Sequence, residues 1–422
     1  MHSVVARSGL ESARGPLLAP AVAAIALSLL LGLQPILTDV YLPALPLLAR
    51  ELAAPMAATQ LTMSALILAF GLSQLVWGPL ADRYGRRPVL LSSLALLCLA
   101  SLGAASASSV GWLIVWRAAQ GATMAASVVC ARAMVRDLYA PQDGARVMAL
   151  GMSGLGVIAI AAPLAGGALA MGAGWRAPLY TVAAIVGAIG LLVWRRVPET
   201  LALRNAQRLH VNELARNAAQ ILRHPTFRAW SLLIACTYGG LFTMLAASPF
   251  VYIELLGLSP REYGLALASG SIAYLVGTIV CRRWLRHRSG AEAVQRGAFF
   301  TLAGALGMAA CALWPAQAGL AWLLGAQWLY AFGHGIHQPC GQTGVTGPFP
   351  RMAGMAAALA GCGLALTAFA IGLWLGNVLD GSLRPMAAGV AVWGGLTSLV
   401  AWTLVRRHGA RFGVHEPTGA GA

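Results

Sequence analysis

Two ionisable residues stand inside long apolar runs, where a charge is costly and marks a pathway or a paired site. Asp39 lies some 20 residues along the run 18–43, and Arg117 about five residues into the run 111–133. At 1.5 Å per residue Arg117 is roughly 7–8 Å inside its run. An arginine keeps its proton in proteins, whereas a carboxylate can take one up and release it. If the two runs are neighbouring helices, an acid and a permanent cation at similar depth can meet. Asp39 would then alternate between protonated and ionised forms, and a cationic substrate would compete with the proton for it. Two plainer readings stay open. Asp39 can cap a helix end ahead of Pro43, and Arg117 can snorkel to the nearby surface.

Polar side chains recur at helical spacing in the same kind of run. Gln34, Thr38 and Tyr41 form one stripe, and Gln327, Tyr330, His334 and His337 form another. A weaker stripe runs through Gln60, Ser64, Gly71 and Gln74. Such stripes either line a cavity that takes substrate or hydrogen-bond helix to helix. The two histidines have no acidic neighbour in sequence, and neither a metal nor any other cofactor is expected. The segment with Gly151, Gly154, Gly156, Pro163, Gly166 and Gly167 presents a smooth, bendable surface suited to close helix approach. Glu254 and Glu262 read as solvated acids. The chain has no GxxxxGK, GxSxG or HExxH pattern, which leaves neither an enzyme nor an ATP-driven pump.

The elements that hold these residues follow from composition. Of 422 residues, 59% are hydrophobic and 10% charged, against roughly 25% charged in a soluble domain. Membrane-spanning helices of about 20 residues are the only fit. Hydropathy predicts twelve, near 18–43, 56–79, 89–108, 111–133, 145–170, 177–194, 229–251, 263–281, 294–314, 319–342, 353–377 and 386–405. The densest knot of charge, Gly78 to Pro88, is a tight turn between the second and third. Its three arginines belong on the cytoplasmic side, and that choice puts both termini inside. Twenty-four arginines then lie inside and four outside, with Arg117 within a span, which accounts for all 29 basic residues.

The polar stretch 195–228 divides the chain into six-helix bundles at 1–194 and 229–422. Gly71–Arg83 can be laid on Gly270–Arg282, so that Cys281 stands where Asp82 stands. The paired bundles fit a transporter built from parallel repeats around a midplane site. The net charge of +16 is scattered between apolar runs rather than gathered on one face, which argues against nucleic acid. The seven cysteines read as small packing residues. Met1–Gly15 is polar and leads straight into a full-length span, so no cleavable signal is expected.

Gly78-x-x-x-Asp82-Arg83-x-Gly85-Arg86-Arg87 matches the loop signature of the major facilitator superfamily in every position. Leu113-x-x-x-Arg117-x-x-Gln120-Gly121 resembles its fourth-helix signature. Ala162-Pro163-Leu164-Ala165-Gly166-Gly167 resembles its antiporter signature, with alanine at the first position where glycine is usual. Thr38-Asp39-Val40-Tyr41-Leu42-Pro43, Arg136-Asp137-Leu138-Tyr139, Pro198-Glu199-Thr200 and Ser248-Pro249-Phe250-Val251-Tyr252 resemble the Bcr/CflA branch of drug:proton antiporters.

The resemblance implies an all-helical membrane protein of the bacterial inner membrane, exporting small hydrophobic molecules of the bicyclomycin or chloramphenicol kind. A proton gradient would drive it, with a bilayer and protons as its partners and a monomer as its working form. It also implies that Asp82, with Arg83, Arg86 and Arg87, braces the two halves, although topological anchoring explains those arginines equally well. Export of a metabolite such as an amino acid is an alternative. A transport-inactive sensor on the same fold is another.

Overall fold

The computed structural model describes residues 20–139, 141–201, 211–314 and 319–409. Arg7, Arg14, Arg204, Arg208 and Arg411 of the orientation count lie outside the described residues, as do part of the 195–228 stretch and the end of the C-terminal tail. The described chain is helical, with no strand. Its helices are α1 (Pro20–Asp39), α2 (Leu45–Glu51), α3 (Met56–Tyr84), α4 (Arg86–Ala105), α5 (Val110–Leu138), α6 (Pro141–Ala173), α7 (Arg176–Arg196) and α8 (Val211–Arg223). They continue with α9 (Pro225–Pro249), α10 (Pro260–Trp284), α11 (Gly290–Leu313), α12 (Leu320–Thr346), α13 (Ala353–Val378), α14 (Arg384–Val400) and the short α15 (Arg406–His408).

Local chemistry sets the breaks. Pro43 lacks an N–H and disfavours a helical residue before it, so α1 gives way to a 3-10 turn at Leu42–Ala44 before α2 begins. Gly85, at φ +106°, separates α3 from α4 in a backbone conformation that a side chain would strain. Ser259 and Glu262 close α10 with a reciprocal capping box. Glu262 is therefore a cap rather than a merely solvated acid, and Glu254 pairs with Arg50 at 3.1 Å.

Eleven helical runs among the described residues are long and apolar enough to cross a bilayer. The segment expected as the tenth span is α12, a 27-residue helix. Gln327, His334, His337, Gln338 and Gln342 make it more polar than the other expected spans, and it is not one of these eleven. Large apolar side chains such as Val157, Leu313 and Trp112 are 66%, 68% and 59% exposed. So much exposed grease would be a liability in water and is what a lipid-facing surface requires.

Helices α1 and α3–α7 pack chiefly among themselves, and α9–α14 do the same. Two helix pairs join the groups, α3 with α13 and α6 with α10. The first contact runs from Ala57 against Gly376 to Gln74 against Gly361. The second runs from Gly167 against Pro260, through Gly264 against Pro163, to Gly156 against Leu275. Backbone meets backbone there, and a Cβ on Gly167 or Gly264 would collide with the facing carbonyl oxygen. Pro163, Gly166 and Gly167 thus sit at or beside the seam, with Gly166 against the backbone of Val40.

Polar contacts cross the seam over the same stretch. They are Arg50 to Glu254, Gln60 Nε2 to the Ala246 carbonyl (2.9 Å), Ser271 Oγ to the Ala159 carbonyl (3.2 Å) and Cys362 Sγ to the Gly71 carbonyl (3.1 Å). The seam is closed from the Asp39 end to mid-depth. Asp82, Arg83 and Tyr84, at the other end of α3, are exposed.

Candidate functional site

Arg117 is fully buried on α5 and does not snorkel. Its Nη1 donates to the Leu37 carbonyl at 3.1 Å and to Gln120 Oε1 at 3.0 Å. Its Nε donates to the Thr62 carbonyl at 3.2 Å, and Nη2 lies 3.4 Å from Met63 Sδ. The guanidinium carbon sits 4.2 Å from the centre of the Tyr41 ring, a cation–π contact that strengthens where water is absent. Tyr41 in turn donates to Thr62 Oγ1 at 2.9 Å.

The grip on Leu37 has a local cause. The last carbonyls of a helix lack intrahelical partners and carry the negative end of its dipole, and Leu37 lies two residues before the end of α1. The cation therefore ties α1 to α3 and α5 through backbone and ring, with no carboxylate on it among the described residues.

Asp39 is the last residue of α1 and is half-buried. Its Oδ1 accepts from Thr38 Oγ1 at 2.7 Å. Arg117 holds the residue two before it and the ring two after it, yet the two charges form no ion pair. The Leu42–Ala44 turn that follows Asp39 packs on both α9 and α10, so the α1 end that carries this acid lies at the seam between the groups.

The polar stripes turn out to be largely engaged inside the bundle. Tyr252 Oη donates to Gln327 Oε1 at 2.7 Å, and Tyr330 Oη donates to the Thr237 carbonyl at 2.9 Å. His334 Nδ1 is 3.0 Å from Thr237 Oγ1, and His337 Nε2 is 3.3 Å from the Val294 carbonyl. Thr38 Oγ1 also reaches the Gln34 carbonyl at 3.0 Å. Gln34 stays half-buried beside Asp39's helix end. Among the described residues no three His, Cys, Asp or Glu side chains are grouped to hold a metal ion.

At the far end of α3, Asp82 pairs with Arg86, and Arg86 Nε reaches Asp137 Oδ2 at 3.2 Å. Asp82 is bound within its own helix group here, not to the other one. Arg83 lies over the Tyr84 ring, and Gly78 has open space about it. Glu199 carries a part that its sequence motif did not disclose. Its carboxylate accepts the Arg86 N–H at 2.9 Å and the Arg87 N–H at 3.3 Å. It thereby covers two of the unpaired donors that open α4, at the positive end of that helix. Arg87 Nη2 donates to the Trp194 carbonyl at 2.7 Å. Glu199→Gln is expected to lower stability by about 1 kcal/mol and to speed hydrogen exchange at the Arg86 and Arg87 amides. Unchanged exchange there would show that the cap is idle.

Residues 27–373 match the model of the Major Facilitator Superfamily. The chain belongs to that superfamily. This facilitator is 25% identical over 371 residues to the bicyclomycin resistance protein homolog of Haemophilus influenzae, covering 86% of this chain and 89% of that one. It is 31% identical to multidrug resistance protein D of Escherichia coli, covering 79% and 83%. It is 30% identical to the MFS-type transporter YdgK of Bacillus subtilis, covering 62% of this chain and 66% of the relative. Among solved structures, the D-xylose-proton symporter superposes with a TM-score of 0.70 at 15% identity, over 90% of this chain and 96% of that one. That likeness concerns the fold. The facilitator is thus a transporter rather than an enzyme, a multi-pass protein whose relatives place it in the bacterial inner membrane, with a bilayer around it and a small molecule as its substrate.

Proposed function

We propose that this facilitator exports small drug-like molecules from the cytoplasm in exchange for protons, by alternating access between bundles 1–194 and 229–422 joined by the stretch 195–228. In this reading twelve spans, α12 included, cross the membrane with both termini cytoplasmic, and the protein works as a monomer without a cofactor. The Gly85 turn then faces the cytoplasm, and the seam contacts near Asp39 lie towards the outside.

One observation carries the proton part: Asp39 is half-buried at the seam, held by a hydroxyl and by no cation among the described residues. A carboxylate so placed can be neutral or charged at modest cost, and it can respond to a change in access on either side. Arg117 serves as the fixed cation that holds the α1 end in place. Asp82, Arg83, Gly85, Arg86 and Arg87 form the cytoplasmic gate. Gly78 gives that gate room, and Pro163, Gly166 and Gly167 form the opposite seam. Gln34 lines the substrate's path beside Asp39. Thr38, Tyr41, Gln327, Tyr330 and His334 shape that path from behind, because their polar groups are already bonded. Relatives named for bicyclomycin and multidrug resistance support a drug-like substrate.

The test is accumulation in cells carrying the gene and in matched cells without it. Collapsing the proton gradient is expected to raise uptake of bicyclomycin or chloramphenicol only in the former. Equal accumulation in both strains, before and after collapse, would remove proton-driven export.

A further inference from the structure

The two arginine-rich turns at the Gly85 end of the molecule are held very differently. Between α3 and α4, Arg86 is paired with Asp82 and Asp137, and Arg87 with the Trp194 carbonyl. Between α10 and α11, Arg282, Arg283, Arg286 and Arg288 have no carboxylate partner among the described residues. Cys281, buried, stands in the aligned position of Asp82.

Tertiary packing adds to this second group. Gly409 lies against the Ala291 side chain, and Trp402 Nε1 donates to the Gln295 carbonyl at 2.9 Å. The last helical turn thus brings Arg406 and Arg407 from the end of the chain to the start of α11. Five of the six arginines are exposed and Arg288 is half-buried. The one acid on this part of α11, Glu292, is exposed and forms no ion pair among the described residues.

The surface below the cluster is apolar. The Trp402 ring lies 5.0 Å from that of Phe299. Phe299 on α11, Leu399 on α14 and Leu404 in the helical turn Ala401–Val405 that continues α14 are 64%, 56% and 37% exposed. A tryptophan at the junction of cations and exposed grease is the usual pattern at a membrane–water boundary.

We propose that this cluster binds the headgroup of an anionic phospholipid whose acyl chain lies along Phe299, Leu404 and Leu399. Unpaired guanidiniums suit a phosphate, which they can grip with paired N–H donors. The adjoining apolar strip selects a lipid over a soluble anion, which would have no use for it. Each basic side chain near an anionic bilayer surface favours binding by about fivefold, so several acting together give a clear preference.

Native mass spectrometry of the purified full-length protein, titrated with phosphatidylglycerol or phosphatidylcholine of the same acyl chains, reads that preference. The protein is expected to retain phosphatidylglycerol about tenfold more tightly. The variant R282Q/R286Q/R406Q/R407Q should bring the two lipids within about twofold, and lysine at the same four positions should keep the preference. Equal retention of both lipids by the native protein would overturn the proposal, as would a preference that survives in the glutamine variant. Displacement of the lipid by an equal concentration of glycerol phosphate would also overturn it, by assigning the cluster to a soluble anion. If the glutamine variant fails to assemble, quenching by brominated lipids decides. Trp402 emission, taken as the difference between native protein and W402F, should be quenched more by brominated phosphatidylglycerol than by brominated phosphatidylcholine, and equal quenching would refute the site.

Discussion

Replacing Asp39 by asparagine is expected to cut substrate-driven proton movement in proteoliposomes by about 100-fold, the upper range of ordinary coupling factors. The amide has the shape of the carboxylic acid and can still accept from Thr38 Oγ1, which lies 2.7 Å from the carboxylate. What it loses is the capacity to bind and release a proton. Stability should therefore change by no more than about 0.5 kcal/mol, and exchange of substrate for substrate, which needs no proton, should persist. Asp39→Glu restores the acid on a longer stem and should recover part of the coupling. Proton movement at the native rate in the asparagine variant would place the coupling group elsewhere. Loss of stability together with coupling would make Asp39 a helix-end cap and nothing more.

Arg117→Met is expected to destabilise the protein by about 3 kcal/mol, measured by denaturant unfolding in detergent. Methionine keeps much of the volume but leaves the Leu37 carbonyl, Gln120 Oε1 and the Tyr41 face without the cation that joins them. The Thr62 carbonyl loses its Nε donor as well. An unsatisfied polar group in a water-free interior costs about 1–3 kcal/mol, and more than one is created here. Arg117→Lys keeps the charge, but a single ammonium cannot reproduce the planar fork that reaches several acceptors at once. It should fall between the two. Transport should drop with stability in both variants, because the α1 end that carries Asp39 loses its anchor. A methionine variant as stable as the native protein would show that the arginine network is dispensable.

Much of this protein could be read from its sequence because the deciding forces are local or compositional. A chain with 10% charge and apolar runs of bilayer length has few options except spanning helices. The turn at Gly85 follows from one residue that tolerates φ +106°. The seam residues Pro163, Gly166 and Gly167 were legible too, since close helix approach needs small side chains. The helix at Leu320–Thr346 was found at its expected place although its polar stripe lowers its hydropathy.

Only the tertiary structure decided the partners. Arg117 could be singled out as a buried cation, but its acceptors are backbone carbonyls at Leu37 and Thr62, and every residue carries a carbonyl, so sequence cannot mark them. Glu199 covers α4 from across 113 residues of chain, and packing of Gly409 on Ala291 brings the Arg406–His408 turn to the start of α11. Whether Gln327 and Tyr330 face a cavity or the neighbouring groups at Tyr252 and Thr237 turned on rotations of a few tens of degrees, which hydropathy does not encode. Residue type sets what a side chain can do, and the packing of distant helices sets which group it meets.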